Sequence, residues 1–446
     1  MIPIYVASMS TEQYGIVGSM QTLISVLAIV LSLGAEKSIF RLFHDYKTGE
    51  GQNVFLASVT WFIYMLATIM VVLLFLLRTY VGQIFSSIPF SPYYAYALCV
   101  AFCLAFEVAP RIYLQVTKQS KKYFFFSLTQ MSFSAAGILY FAVYKHQEAA
   151  GMLKGMLVAQ VAMMPLYIGV HIRNYNVRPQ FRLIKSILTY CLPLLPSAVA
   201  AWVITMSSQV FVERNFSTSE VAVYALSLKI IGAITIFASA LMTAYKPLFY
   251  QLANSENQQL AKDKLYELQN NIILVLILIS GLIAVFSKDI ITVFFRSDYY
   301  DAIYLIPLLM FGSTLGKISG YTNLAFYQEK KTMLMMWIMV TASIISVSMN
   351  YYIIPRYSIY GAAITYMVSI AVFFVLKYIL SRPYYCIPYN WTKMILTFIC
   401  MVFAYAINTF LLPVGIIPLV VKSLLICVIL FIMYRKYGSK LLTPNS

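Results

Sequence analysis

Thirteen long apolar segments run through this chain from end to end, and they leave no stretch for a separate soluble domain. They fall near residues 14–35, 54–77, 92–110, 123–144, 150–171, 185–211, 221–245, 270–287, 302–327, 333–354, 359–379, 394–411 and 414–434. About 20 apolar residues carry a helix across the hydrocarbon core, where every backbone polar group must be bonded internally. Thirteen such helices consume roughly 270 to 300 residues, and short loops take the rest of the 446. Only 11% of the residues are charged, against roughly 25% in soluble domains. The runs are long and continuous rather than short and alternating, which excludes an outer-membrane barrel. The expected class is an all-α polytopic membrane protein.

A net charge of +17 in a soluble protein would suggest nucleic acid. Here it follows the positive-inside rule, and no nucleic-acid partner is expected. Starting with the N-terminus outside and alternating sides, 22 Lys and Arg fall at cytoplasmic ends and 7 at outer ends. Lys122, Arg173, Lys246 and Lys377 are among the cytoplasmic ones. The bias predicts the N-terminus outside and the C-terminus in the cytoplasm. Of the 32 Lys and Arg, that leaves Lys229, Lys317 and Lys422 assigned to segment interiors rather than to segment ends.

Several stretches are secondary to this plan. Residues 171–185 form a basic loop suited to the anionic inner leaflet. Residues 254–270 read as a short surface helix. Tyr384, Tyr385, Tyr389 and Trp391 read as interface belt. The six cysteines, Cys99, Cys103, Cys191, Cys386, Cys400 and Cys427, include no CxxC pair and no adjoining metal ligands. They are expected to pack as small hydrophobes, and neither metal nor cofactor is expected. Met1-Ile2-Pro3-Ile4-Tyr5-Val6 has no basic leader region, so it is not a secretory signal.

A faint repeat is present. Ser10-Thr11-Glu12-Gln13-Tyr14-Gly15 precedes one inward helix, and Ser217-Thr218-Ser219-Glu220-Val221-Ala222 precedes another 207 residues later. Repeats of the same orientation imply two bundles related by an axis along the membrane normal.

The same residues carry a resemblance. Ser10–Gly15, Leu33-Gly34 through Arg41, Leu192-Pro193-Leu194-Leu195-Pro196, Tyr224–Ile230, Lys246-Pro247 and, most strongly, Asn350–Ala363 resemble the oligosaccharide flippases of bacterial polysaccharide and O-antigen biosynthesis. That family shares a superfamily with multidrug and toxin extrusion transporters and lipid II flippases. The resemblance implies two pseudo-symmetric six-helix bundles plus two C-terminal helices. Bundles are expected over 1–175 and 176–380, with two further helices and a short tail over 381–446. Family members have fourteen helices, so the family's first helix is expected to be missing here, leaving 13 spans, either because the start is misplaced or because this copy has lost it. Many relatives also carry an Asp-Arg pair where this chain has Ser208-Gln209, so no role for that pair carries over.

The implied substrate is an oligosaccharide on a polyprenyl diphosphate, moved from the cytoplasmic to the periplasmic leaflet of the inner membrane by alternating access. Polysaccharide polymerase and glycosyltransferases of one pathway are the implied partners, besides membrane lipids. A diphosphate needs fixed positive charge inside a cavity. Lys229 is the first candidate, about 13 Å into its segment at 1.5 Å per residue. A Lys at the helix centre costs roughly 2.5 to 3.5 kcal/mol, so a cavity, a counter-ion or an anionic ligand must offset it. The alternative is a structural Lys bonded to helix carbonyls or a local acid. Lys37 and Arg41 share a helix face and either line an inward-open cavity or snorkel to the interface. Glu36 could neutralise either base or titrate. Lys317, beside Gly316 and Gly320 where a bend is expected, ranks below Lys229, as does Lys422. Glu107 and Arg111 are spaced i,i+4 in the order that favours an ion pair, and Glu107 is also the main candidate for ion coupling.

Two other classes compete. An ion-coupled cation or drug exporter of the same superfamily would need buried carboxylates, and this chain has at most one deep Glu. A polysaccharide polymerase would need catalytic groups on a sizeable outer loop, and the longest, near 78–91, holds neither acid nor His. No catalytic residue is expected.

Overall fold

The computed structural model describes residues 2–46, 49–85, 87–175, 177–385 and 387–406. Among them no strand occurs. In chain order the α-helices are α1 (Ile2–Ala7), α2 (Thr11–Ser32), α3 (Ala35–Leu42), α4 (Glu50–Leu76), α5 (Arg78–Val81), α6 (Ala95–Val116), α7 (Ser120–Ile138) and α8 (Glu148–Tyr175). They continue as α9 (Arg182–Cys191), α10 (Leu195–Asn215), α11 (Thr218–Ile231), α12 (Ala233–Ala253), α13 (Gln258–Val285), α14 (Ser287–Phe294), α15 (Ala302–Gln328), α16 (Thr332–Ser381) and α17 (Trp391–Ala406).

Ten helical stretches among the described residues are long and apolar enough to span a bilayer, and the chain is a multi-pass membrane protein. They account for eleven of the expected segments, because 333–354 and 359–379 both fall within α16. Fifty helical residues would run about 75 Å at 1.5 Å each, more than twice the hydrocarbon thickness. Ser358, at φ 48° and ψ −131°, breaks α16 into its two arms. Segment 394–411 is described as far as Ala406, in α17. Segment 414–434 with Lys422 lies outside the described residues, as do Lys47, Cys386 and Cys427.

The helices group into two compact units. One comprises the described parts of Met1–Ala225 and Thr332–Phe373, the other those of Leu226–Lys331 and Phe374–Ser446. In the first, α6 packs against α2, α4 and α8. Ala97, Ala101, Ala105 and Ala109, one per turn, are all buried on α6. Such a stripe lets helix backbones approach closely, which drives association in lipid. Glycines do the same between α7 and α8, where a Cβ on Gly155 would stand 2.6 Å from the carbonyl carbon of Gly137. The Tyr14-Gly15 motif has a similar cause. A Cβ on Gly15 would lie 1.7 Å from the Thr218 carbonyl oxygen, so α2 meets the start of α11 backbone to backbone.

The second unit gathers α12, α13, α14, α15 and α17. Three local expectations change here. Residues from Gln258 onward are not a separate surface helix but the first turns of α13, which runs unbroken to Val285. Asn257 caps it by accepting from the Leu260 amide at 3.1 Å, and no Gly or Pro interrupts the next twenty residues. Tyr389 is buried rather than interfacial. Its hydroxyl donates to the Ile318 carbonyl at 3.0 Å and pairs with the Thr322 hydroxyl. Lys377, counted above as a cytoplasmic end, is 1% exposed, and its Nζ donates to the Ser319 carbonyl at 2.7 Å.

Lys377→Ala removes a fully packed stem and a charge-assisted bond at once. Large-to-small changes at buried sites cost about 2–5 kcal/mol. The melting temperature of the purified protein in detergent is expected to fall, with Lys377→Met, which keeps the stem volume, falling less. Among the described residues the cysteines are unpaired, with Cys103 and Cys191 buried and Cys99 and Cys400 half-buried.

A candidate anion-binding cavity

The second unit contains a cavity of about 390 Å³ between α12 and α15. Helix α12 contributes Ala238, Ser239, Met242, Thr243 and Lys246, one face by their spacing. Helix α15 contributes Gly316, Lys317, Gly320, Asn323, Leu324 and Tyr327, again one face. No carboxylate stands among these lining residues. Gly316 and Gly320 were expected to bend α15, yet it keeps helical geometry from Ala302 to Gln328. They thin the cavity wall instead, and a Cβ on Gly320 would come within 3.3 Å of the Met242 methyl.

The polar inventory suits an anion. Lys317 is half-buried and Lys246 is exposed to the opening. Each ammonium offers three donors and a full charge. Thr243 donates its hydroxyl to the Ser239 carbonyl at 2.8 Å, so its proton is already engaged. The Asn323 side-chain oxygen is buried with no protein hydrogen bond. That leaves amide, hydroxyl and phenol groups around two cations, a set able to hold a phosphate by charge-assisted bonds and a sugar by neutral ones.

The other sequence candidates lie elsewhere. Lys229 is half-buried in the last turn of α11 and is not among the cavity's lining residues. Lys37 and Glu36, both half-buried, and Arg41 sit on α3. Leu33 and Gly34, at φ 46° and 70°, detach this short helix from α2, which explains the Leu-Gly motif before it. Ser32 donates to the Glu36 carboxylate at 3.3 Å.

Glu107 anchors a network in the first unit. Its carboxylate accepts from Arg111 at 3.1 Å, from Gln130 at 2.7 Å and from Tyr167 at 3.2 Å. Arg111 also donates to Ser127 at 3.0 Å, tying α6 to α7 and α8. At Ser208 and Gln209 the bonds run between neutral groups. Ser208 donates to the Asn350 side chain at 3.1 Å, Asn350 donates to Ser207 at 2.9 Å, and Gln209 accepts from Thr22.

Sequence reasoning singled out Lys317 but not its partner. Lys246 sits beside Pro247 near an end of its apolar run, where charge counting treats it as a terminal base. The 238–239–242–243–246 spacing marks a polar-containing face. Only tertiary packing brings that face to α15.

Comparison with solved structures places the fold. The lipid II flippase MurJ in an inward closed conformation superposes with a TM-score of 0.73 at 15% identity, over 97% of this chain and 95% of that one. An inward-facing multidrug resistance MATE family transporter of the MOP superfamily gives 0.65 at 16% identity, over 85% and 93%. A MOP superfamily transporter from Pyrococcus furiosus, described by the reverse polarity of its binding pocket, gives 0.53 at 17% identity, over 85% and 90%. No curated protein matches in sequence. The family of polysaccharide biosynthesis proteins matches residues 9–304. With two thirds of its length matched and a MurJ- and MATE-like helical fold, the chain belongs to the polysaccharide biosynthesis protein family.

Proposed function

We propose that this protein is a flippase that carries a polyprenyl-diphosphate-linked oligosaccharide from the cytoplasmic to the periplasmic leaflet of a bacterial inner membrane by alternating access. Its products would feed polysaccharide or O-antigen assembly, beside the glycosyltransferases and polymerase of that pathway. The single observation that carries the reading is the α12–α15 cavity, with Lys246 and Lys317 and no carboxylate in its lining. Lys317 supplies fixed charge to the diphosphate at depth, and Lys246 meets it nearer the opening. Lys229, Lys37 and Arg41 add positive charge in their own helices. Glu107 serves as a paired structural acid, because Arg111, Gln130 and Tyr167 already occupy its oxygens. The N-terminus lies outside and the C-terminus in the cytoplasm, following the charge bias. The protein moves its substrate without catalysis.

A cation exporter of the same fold would present an acidic cavity, so ligand charge separates the two readings. In nanodiscs, the purified protein is expected to bind a polyprenyl diphosphate at least tenfold more tightly than a lipophilic quaternary ammonium of similar chain length. Added salt should weaken the diphosphate and leave the cation unaffected. Tighter binding of the cation would overturn the flippase reading in favour of export.

A further inference from the structure

The first unit contains a second basic recess that the transport reading does not use. Helices α7 and α8 pack side by side. Lys122 lies three residues into α7, and Arg173 lies three residues from the end of α8. A groove of about 330 Å³ opens between them, and both bases line it. Apart from Asn174, its remaining wall is apolar, chiefly Phe126, one turn beyond Lys122, and Leu166, two turns before Arg173. No carboxylate lines it. Asn174 also lines it as a fixed wall, since its amide donates to the Val170 carbonyl at 2.7 Å and its oxygen accepts from Tyr113 at 3.1 Å.

Two features give the groove a shape as well as a charge. Gly169 sits one turn before Arg173, and a Cβ there would meet nothing within 4 Å. The space over Gly169 is therefore part of the opening and not filled by a neighbouring helix. Phe126 is half-buried and Leu166 is 42% exposed, so the apolar wall continues outward to the membrane-facing surface. The groove's volume is near 330 Å³. That is room for a small headgroup and the first methylenes of its chains, with the rest of the chains left in surrounding lipid.

We propose that this groove binds the phosphate of an anionic glycerophospholipid of the host membrane. Lys122 and Arg173 bond the phosphate oxygens, the arginine able to do so through two parallel N–H groups. Phe126 and Leu166 hold the upper acyl chain. Basic recesses between membrane helices near the inner surface take acidic lipid heads by this chemistry. Both bases fall on the cytoplasmic side by the charge count, but the site's chemistry does not depend on which leaflet it faces. The proposal shares no residue with the Lys246–Lys317 cavity and stands whether or not the flippase reading does.

The test is native mass spectrometry of the purified full-length protein, titrated with phosphatidylglycerol, phosphatidylcholine or inorganic phosphate. Wild type is expected to retain phosphatidylglycerol at least tenfold more strongly than phosphatidylcholine, with millimolar inorganic phosphate failing to displace it. Lys122→Ala with Arg173→Ala removes the charges at two exposed positions, and Gly169→Leu fills the groove while leaving both charges in place. Each is expected to lower phosphatidylglycerol retention at least tenfold. Wild-type retention by Gly169→Leu would mean that surface charge alone recruits lipid, and would overturn the site. Wild-type retention by the double variant would overturn it too. Displacement by inorganic phosphate would replace a lipid site with a free-phosphate site.

Discussion

Lys317→Ala is expected to reduce glycan export at normal expression by about tenfold to a hundredfold. A hydrogen bond to a charged group contributes about 1.5–3 kcal/mol, and each 1.4 kcal/mol is about tenfold. Lys317 is half-buried among Gly316, Gly320 and the α12 face, and among the cavity's lining residues Lys246 alone shares its charge. Lys246→Ala should cost less, because Lys246 is exposed and solvent screens what it does. The double variant should lose at least as much as Lys317→Ala alone. Lys317→Arg keeps the charge but not the compact ammonium, and partial activity is expected. Complementation of a strain lacking its own flippase, scored by surface glycan, checks the series. Lys229→Ala in the same assay reports on a lysine outside the cavity's lining. An effect of Lys229→Ala as large as that of Lys317→Ala would show that the charge requirement extends beyond the cavity.

Among the described glycines, Gly15→Ala is expected to be the most disruptive single-methyl change. Its Cβ would stand 1.7 Å from the Thr218 carbonyl oxygen and 2.5 Å from its carbon, both backbone atoms that no rotamer change can move. Overpacking a tight contact costs about 1–3 kcal/mol and sometimes more, and here α2 and the start of α11 must separate. Folded yield in the membrane should fall sharply, with a lower melting temperature for what remains. Gly169→Ala is the matched control. Nothing lies within 4 Å of its Cβ, and alanine improves helix propensity by about 1 kcal/mol, so its melting temperature should hold or rise. Equal behaviour of the two variants would refute the close approach at Gly15.

The helical plan was legible because the bilayer forces it. Apolar runs of sufficient length can be little else, and the described spans fall on the expected segments. The break at Leu33-Gly34 was not legible, since it falls inside the expected segment 14–35 and only the left-handed backbone of both residues reveals it. The joint at Ser358 was placed only as the gap between two segments, and its backbone geometry could not be read from a serine. Lys377 shows a different limit. Position near a segment end made it a surface base by charge counting, whereas packing buries it against Ser319. Tyr389 was misread for the same reason, since aromatic belt residues and buried hydrogen-bonded tyrosines look alike in sequence. The cavity was half legible. A lysine inside an apolar run invites attention, so Lys317 stood out. Lys246, Thr243 and Asn323 gain meaning only once α12 and α15 are side by side.

In the proposed function the protein moves an anionic lipid-linked glycan and grips it through the Lys246–Lys317 cavity. The most direct measurement is a leaflet-accessibility assay in proteoliposomes. A fluorescent polyprenyl-diphosphate oligosaccharide is quenched from outside while purified wild type, Lys246→Ala/Lys317→Ala and protein-free vesicles are compared. Wild type should equilibrate the lipid between leaflets, and the double variant should remain near the protein-free rate. Equal flipping by wild type and the double variant would contradict the cavity's role, and no flipping by wild type above protein-free vesicles, under any imposed ion gradient, would contradict the flippase itself.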